Sequence, residues 1–205
     1  MIIGLTGKIC AGKNLAAELF EKWGLCTIDV DTVGHEVLDE LSSRLENLFG
    51  PQVVNADGSV NRSALGAEVF GDSRKLAMLE TLLHPKMTER CLERADSRDQ
   101  EACPAGTLFN AAVLHTMGLD VHCDAVVFVK APMFLRLYRA VRSRGMSIGN
   151  FLRRNRSQKE IDEKYVSAHV PIYVIMNDRD RGWLETQVDE LVGHLGIGKS
   201  GEHVQ

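Results

Sequence analysis

The chain's possible folds are narrowed most by its first twenty-four residues. Gly7-Lys8-Ile9-Cys10-Ala11-Gly12-Lys13-Asn14 follows directly on the apolar run Met1-Ile2-Ile3-Gly4-Leu5. Gly, four residues, then Gly-Lys is the pattern of a phosphate-binding loop, which ordinarily closes on Ser or Thr; here that position is Asn14. Such a loop needs a strand before it and a helix after it. Ile2 to Leu5 is β-type, while Leu15, Ala16, Leu19, Phe20 and Trp23 recur at helical spacing, with Gly24 at the C-terminal stop. Main-chain N–H groups and the positive end of the helix would then grip an anion, with Lys13 adding a charge. The plainer reading, a tight βα turn with a lysine beside it, carries less weight because strand and helix lie on the correct sides.

Four further β-type runs can be placed: Leu25 to Asp31, Thr107 to Val113, Ala125 to Val129, and Ile172 to Met176 with Pro171 at its start. Helical stretches separate them, so strand and helix alternate, which predicts an α/β fold with a parallel sheet flanked by helices. About 75 residues lie between Asp31 and Thr107, far more than one crossover helix needs. They contain a turn signal at Asn55-Ala56-Asp57-Gly58 and a helical pattern at Leu76, Leu79, Leu82 and Leu83, and predict a mostly helical insert. Alternation along the second strand would put Asp29 and Asp31 on one face, at the strand end where open α/β sheets hold ligands.

Charge is distributed unevenly. The net charge of −4 gives no general attraction to nucleic acid or an anionic membrane. Between Ala125 and Lys159, however, no acidic residue occurs, while Lys130, Arg136, Arg139, Arg142, Arg144, Arg153, Arg154, Arg156 and Lys159 are basic. That segment predicts a local site for a polyanion. The five cysteines are odd in number and lack metal-ligand spacing, so free, reduced thiols are expected. With no apolar run of membrane-spanning length and no secretory signal at the start, a cytoplasmic location is expected.

Taken in order, these residues resemble the dephospho-CoA kinase family over about 190 positions. The matching features are Ile3-Gly4-Leu5-Thr6-Gly7 leading into Gly12-Lys13, then Ile28-Asp29-Val30-Asp31, Asp57-Gly58-Ser59-Val60-Asn61-Arg62, Val69-Phe70 and Leu83-His84-Pro85. Arg139, Arg154 with Gln158, and Met176-Asn177 complete the set. The resemblance implies a P-loop NTPase-like three-layer fold with a five-stranded parallel sheet, an inserted helical CoA-binding subdomain and a lid. The expected bounds are a core of residues 1–31, 105–135 and 166–195, an insert of about 32–104, a lid of about 136–165 and a C-terminal tail of 196–205.

The implied reaction is ATP-dependent phosphorylation of the ribose 3′-hydroxyl of dephospho-CoA, with Mg²⁺, by a monomer or weak homo-oligomer acting on small molecules. Gly7, Lys8, Cys10, Ala11, Gly12, Lys13, Asn14 and Leu15 would hold ATP, together with Arg139 from the lid. By resemblance Asp31 would accept the proton of the attacking hydroxyl, with Asp29 orienting substrate or metal; Arg62 and His84 would also face the acceptor. Beside that reading, the two aspartates could simply be solvated or cap a helix. His84 with Pro85 is expected to fix a helix start, and Asn177 to lie beside the adenine or cap a helix.

The chain departs from the family in two places. The family loop usually reads Gly-Gly-Ile-Gly-Ser-Gly-Lys followed by Ser or Thr, so Lys8, Cys10, Ala11 and Asn14 are substitutions. Mg²⁺ takes oxygen ligands, so the Asn14 amide oxygen can serve as its ligand, with weaker binding expected. Cys10, between two lysines, is expected to be sensitive to oxidation. In the central strand the family has Pro-Leu-Leu, an aromatic and Glu, whereas Ala112-Val113-Leu114-His115-Thr116 stands here. A pseudo-kinase that binds ATP or CoA-type ligands, or another nucleotide kinase, is the alternative expectation.

Overall fold

A computed structural model describes residues 1–99, 101–158, 161–162 and 169–198. The elements run β1 (Ile2–Thr6), α1 (Lys13–Glu21), β2 (Leu25–Asp29), α2 (Val30–Glu40), α3 (Ser42–Phe49), α4 (Arg62–Val69), α5 (Ser73–Asp96), β3 (Gly106–Asn110), β4 (Ala125–Lys130), α6 (Met133–Arg144), α7 (Ile148–Ser157), β5 (Ile172–Met176) and α8 (Arg181–His194). They form two compact units: residues 1–28 with the described residues from Arg94 onward, and Asp29–Glu93.

The first unit is built on a five-stranded sheet in the order β2-β3-β1-β4-β5. β1 pairs in parallel with both β3 and β4, and β4 with β5. Leu5 lies opposite Asn110, Thr6 opposite Phe128 and Lys130 opposite Met176, so the strands end along one edge and their loops gather there. Ile3, Leu5, Leu108, Val127 and Val129 are buried to the last atom against Ala16, Leu19 and Phe20 of α1 and Leu184, Val188 and Val192 of α8. The 3.6-residue spacing in α1 delivers those three side chains to one stripe facing the sheet.

The second unit is helical. Val54 and Val60 make a single antiparallel bridge around the Asn55–Gly58 turn, in which Gly58 takes φ 85°. Asn61 caps α4 through the Ala64 N–H, 3.1 Å away. Asp39 accepts from the Val60 N–H at 2.9 Å, and Arg90 pairs with Glu40 at 2.9 Å.

Several expectations are corrected. β2 stops at Asp29, because its carboxylate accepts from the N–H groups of Asp31 (2.9 Å) and Thr32 (3.3 Å) and so starts α2. Asp31 therefore sits in a helix's first turn, and strand alternation does not relate it to Asp29. β3 likewise ends at Asn110, short of Val113. Pro85 lies inside the 24-residue α5, so His84-Pro85 marks no helix start. Cys26 and Cys103 are joined in a disulfide with Cα atoms 5.4 Å apart, where five reduced thiols were expected; Cys10, Cys91 and Cys123 are buried and outside that disulfide. Residues 159–160 and 163–165 of the expected lid, 166–168 of the expected core and 199–205 of the expected tail lie outside the described residues.

Candidate active site

The loop between β1 and α1 has the backbone that an anion cradle requires. Gly7 takes φ 151°, and a Cβ there would lie 2.4 Å from the Val129 carbonyl oxygen; Gly12 takes φ 101° and would meet Asn177 Nδ2 at 2.0 Å. Neither position admits a side chain. Cys10 is the one non-glycine residue at positive φ (59°) among the described residues. The Ala11 N–H closes the turn on the Lys8 carbonyl at 3.0 Å, and Lys13 Nζ donates to the Gly7 carbonyl at 3.2 Å, folding its ammonium back over the loop. Gly12 is the N-cap of α1 and supplies no side-chain cap, so the positive end of the helix faces the loop.

Three side chains brace this loop from behind. Asn177, just after β5 and 4% exposed, donates from Nδ2 to the Ala11 carbonyl at 2.9 Å. Arg139 of α6 donates to the Asn177 carbonyl (3.0 Å), to Asn177 Oδ1 (3.1 Å) and to the Ala11 carbonyl (3.4 Å). Gln158 accepts the Ile9 N–H at 2.7 Å. Arg136 is buried, donating to Asn155 Oδ1 at 2.8 Å and lying over the Phe151 ring; burial draws its pKa below the usual guanidinium value. Among the basic residues of α6, Arg136 is interior, Arg139 half-buried, and Arg142 and Arg144 exposed.

A cavity of about 270 Å³ opens beside the loop, lined among others by Lys8, Ala11, Lys130, Arg136, Asp162 and Met176. Thr6, Ala112, His115 and Thr116 line a narrow notch that adjoins the cavity and shares Phe128, Ile161 and Asp162 with it. His115 Nδ1 lies 2.9 Å from Asp120 Oδ2, and Asp120 is 1% exposed. Asn110, at the tip of β3, donates from Nδ2 to Asn14 Oδ1 at 3.1 Å, and its own Oδ1 is buried with no hydrogen-bond partner.

The fold therefore brings together Gly7, Lys8, Cys10, Ala11, Gly12, Lys13, Asn14, Leu15, Arg139 and Asn177. The side chain of Asn177 is spent on Ala11 and Arg139, and Asp180 caps α8, so helix capping is not its task. In the second unit, Asp29 and Asp31 are exposed at the start of α2; Arg62 opens α4 with Nη2 3.4 Å from Asp39 Oδ2, and His84 lies half-buried in mid-α5. Sequence reasoning passed over Asn110 and Asp120. A polar residue ending an otherwise apolar strand was the signal for the first; nothing local distinguishes the second.

A parallel sheet whose first strand feeds a glycine-bounded loop and a helix capped by that loop defines the P-loop kinase class of α/β proteins. The sequence profile of the dephospho-CoA kinase family matches residues 1–181. The chain is 35% identical over 192 residues to dephospho-CoA kinase of Sulfurimonas denitrificans, covering 93% of this chain and 92% of that protein. It is 30% identical over 192 residues to dephospho-CoA kinase of Wolinella succinogenes, with the same coverage. A crystal structure from Thermus thermophilus superposes with a TM-score of 0.78 at 28% identity, covering 95% of this chain and 97% of that one. The chain belongs to the dephospho-CoA kinase family.

Proposed function

We propose that the chain transfers the γ-phosphoryl group of ATP to the ribose 3′-hydroxyl of dephospho-CoA, giving coenzyme A and ADP. One observation carries this reading: the loop cradle is complete and braced, with Gly12 packed on Asn177 and Lys13 folded over the loop, in a member of this family. Phosphoryl transfer asks for positioning and charge neutralisation more than covalent help. The loop N–H groups and Lys13 hold the β- and γ-phosphates, and the basic cavity wall of Lys8, Lys130 and Arg136 suits the rest of the nucleotide. Arg139, already on the loop, needs a change of rotamer to reach the transferred group. Asp31 takes the hydroxyl proton, and Asp29 orders the turn that presents it. The unit Asp29–Glu93, with Arg62 and His84, receives the acceptor, and residues about 136–165 act as the lid.

Mg²⁺ requires oxygen donors and keeps several waters. Asn14 supplies such an oxygen in the first turn of α1, although it already accepts from Asn110, so the donors suit a loosely held, water-rich ion. Bound with ATP, such an ion would supply charge neutralisation on the phosphates, and Asn14 would hold it. The reading also includes a cytoplasmic setting and a monomer or weak homo-oligomer acting on small molecules; no described helix is long and apolar enough to cross a membrane.

ADP release coupled to dephospho-CoA, with Mg²⁺ or Mn²⁺, tests the proposal. Turnover is expected, and Lys13→Ala should reduce it by about 10²-fold or more while leaving the fold intact. ATP binding without turnover of dephospho-CoA would remove the reading.

A further inference from the structure

In-line transfer places the two substrates on opposite sides of the transferred phosphoryl group, at the edge where the strands end. β1 feeds the loop; β4 and β5 lie to one side of it, β3 and β2 to the other. On the β4 side the cavity carries three cationic residues, Lys8, Lys130 and Arg136, against one carboxylate, Asp162. That side suits the polyanionic nucleotide, which leaves the β3 side to the acceptor. His115 pairs with Asp120 in the segment directly after β3 and forms the β3 end of the notch with Thr6 and Thr116; Phe128 and Asp162 form its other end, which adjoins the cavity.

The geometry points to His115 as an acceptor-binding residue, set by Asp120, that takes a hydroxyl or N–H donor of the acceptor's ribose or base at its Nε2. An ionised Asp120 carboxylate, buried at this contact, accepts; beside it a neutral His115 ring carries the proton of the 2.9 Å contact on Nδ1 and keeps its lone pair on Nε2. A ring held at one nitrogen by an interior carboxylate has its second nitrogen fixed in both direction and polarity. The His115 side chain is 43% exposed, so the ring can be reached by a ligand. Asp120 is a positioning residue: it determines which nitrogen of the ring accepts.

This inference rests on the functional reading above, and steady-state kinetics with each substrate varied in turn tests both. His115→Ala should raise the KM for dephospho-CoA about three- to tenfold, the weight of one hydrogen bond, while the KM for ATP stays unchanged. Asp120→Asn is the sharper variant. A carboxamide that donates to Nδ1 moves the ring proton to Nε2 and reverses its polarity, as in the Asp-to-Asn change of a serine protease triad. Asp120→Asn should therefore raise the acceptor KM as His115→Ala does, with the ring still in place and circular dichroism unchanged. A merely structural role would move both KM values or the melting temperature instead. Wild-type turnover with an unchanged acceptor KM in both variants would overturn the role of His115 alone. No wild-type turnover of dephospho-CoA removes the functional reading, and this inference with it.

Discussion

Asn14 shows what a single replaced residue does to a phosphate loop. Its Oδ1 accepts from Asn110 Nδ2, so the group standing where the motif has a hydroxyl is held from the side by the tip of β3. Restoring the hydroxyl with Asn14→Ser should release that hold and offer Mg²⁺ an unshared oxygen. Calorimetry of ADP binding at graded Mg²⁺ is expected to show the metal's contribution rising about three- to tenfold in the variant. A second residue gives a pH dependence. Burial, with Asp120 and Asp124 nearby, pushes the Cys123 thiol up from 9.0 to about 12. The folded chain thus keeps a neutral thiol that the unfolded chain would ionise. The resulting stability is full below about pH 9 and is lost as pH rises towards 12, at about 1.4 kcal/mol per unit. Urea denaturation between pH 8 and 11 should show that slope in the wild type, reduced in Cys123→Ala.

At the scale of elements, the strand–loop–helix unit was legible because its signals are local: an apolar run, two glycines and helical periodicity. All five strands were found within a few residues of their observed starts for the same reason. The ends of β1, β4 and β5 also fell within one residue of expectation, whereas β2 and β3 were read two and three residues too long. Nothing in Ile28-Asp29-Val30-Asp31 says whether alternation continues or Asp29 turns back to cap α2; the hydrogen bonds to Asp31 and Thr32 decide it. Asp57-Gly58, a turn signal of the same local kind, was read correctly. The bracing of the loop by Asn177, Arg139 and Gln158 joins residues far apart in the chain, and no local pattern announces it. Asp29 offers a test in which capping and chemistry separate. Asn caps as well as Asp, so Asp29→Asn should keep its stability within a few tenths of a kcal/mol, whereas Asp29→Ala should lose about 1 kcal/mol in chemical denaturation. If the charge of Asp29 also serves the acceptor, Asp29→Asn will lose turnover without losing stability; equal turnover would confine the residue to its cap.

At the scale of the whole chain, the Cys26–Cys103 bond sets the longest constraint. It ties β2, an outer strand of the sheet, to the segment entering β3, next to the main-chain bond from the Ala105 N–H to the Gly24 carbonyl at 3.1 Å. Both cysteines belong to the first unit, and the 77-residue separation between them brackets all of the second in sequence. The spacing concealed this pairing, since residues so far apart meet only because β2 and β3 are sheet neighbours. Closing a loop of that length restricts the unfolded chain by about 4 kcal/mol on the chain-entropy account. For a domain of this size, such a loss lowers the melting temperature by about 10 °C. Oxidised protein should therefore melt about that much higher than either reduced protein or the Cys26→Ser variant, with the bond verified by intact mass under non-reducing conditions. Turnover should behave differently. The loop, its braces and the buried core of β1, β3 and β4 do not depend on the bond, so reductant should leave kcat within about twofold below the melting range. A chain working among reduced thiols would then hold its site by packing and the hydrogen-bonded braces, and gain the covalent tie only on oxidation. Equal melting of the two forms would show that the sheet already holds β2 against β3 with nothing left for the bond to add.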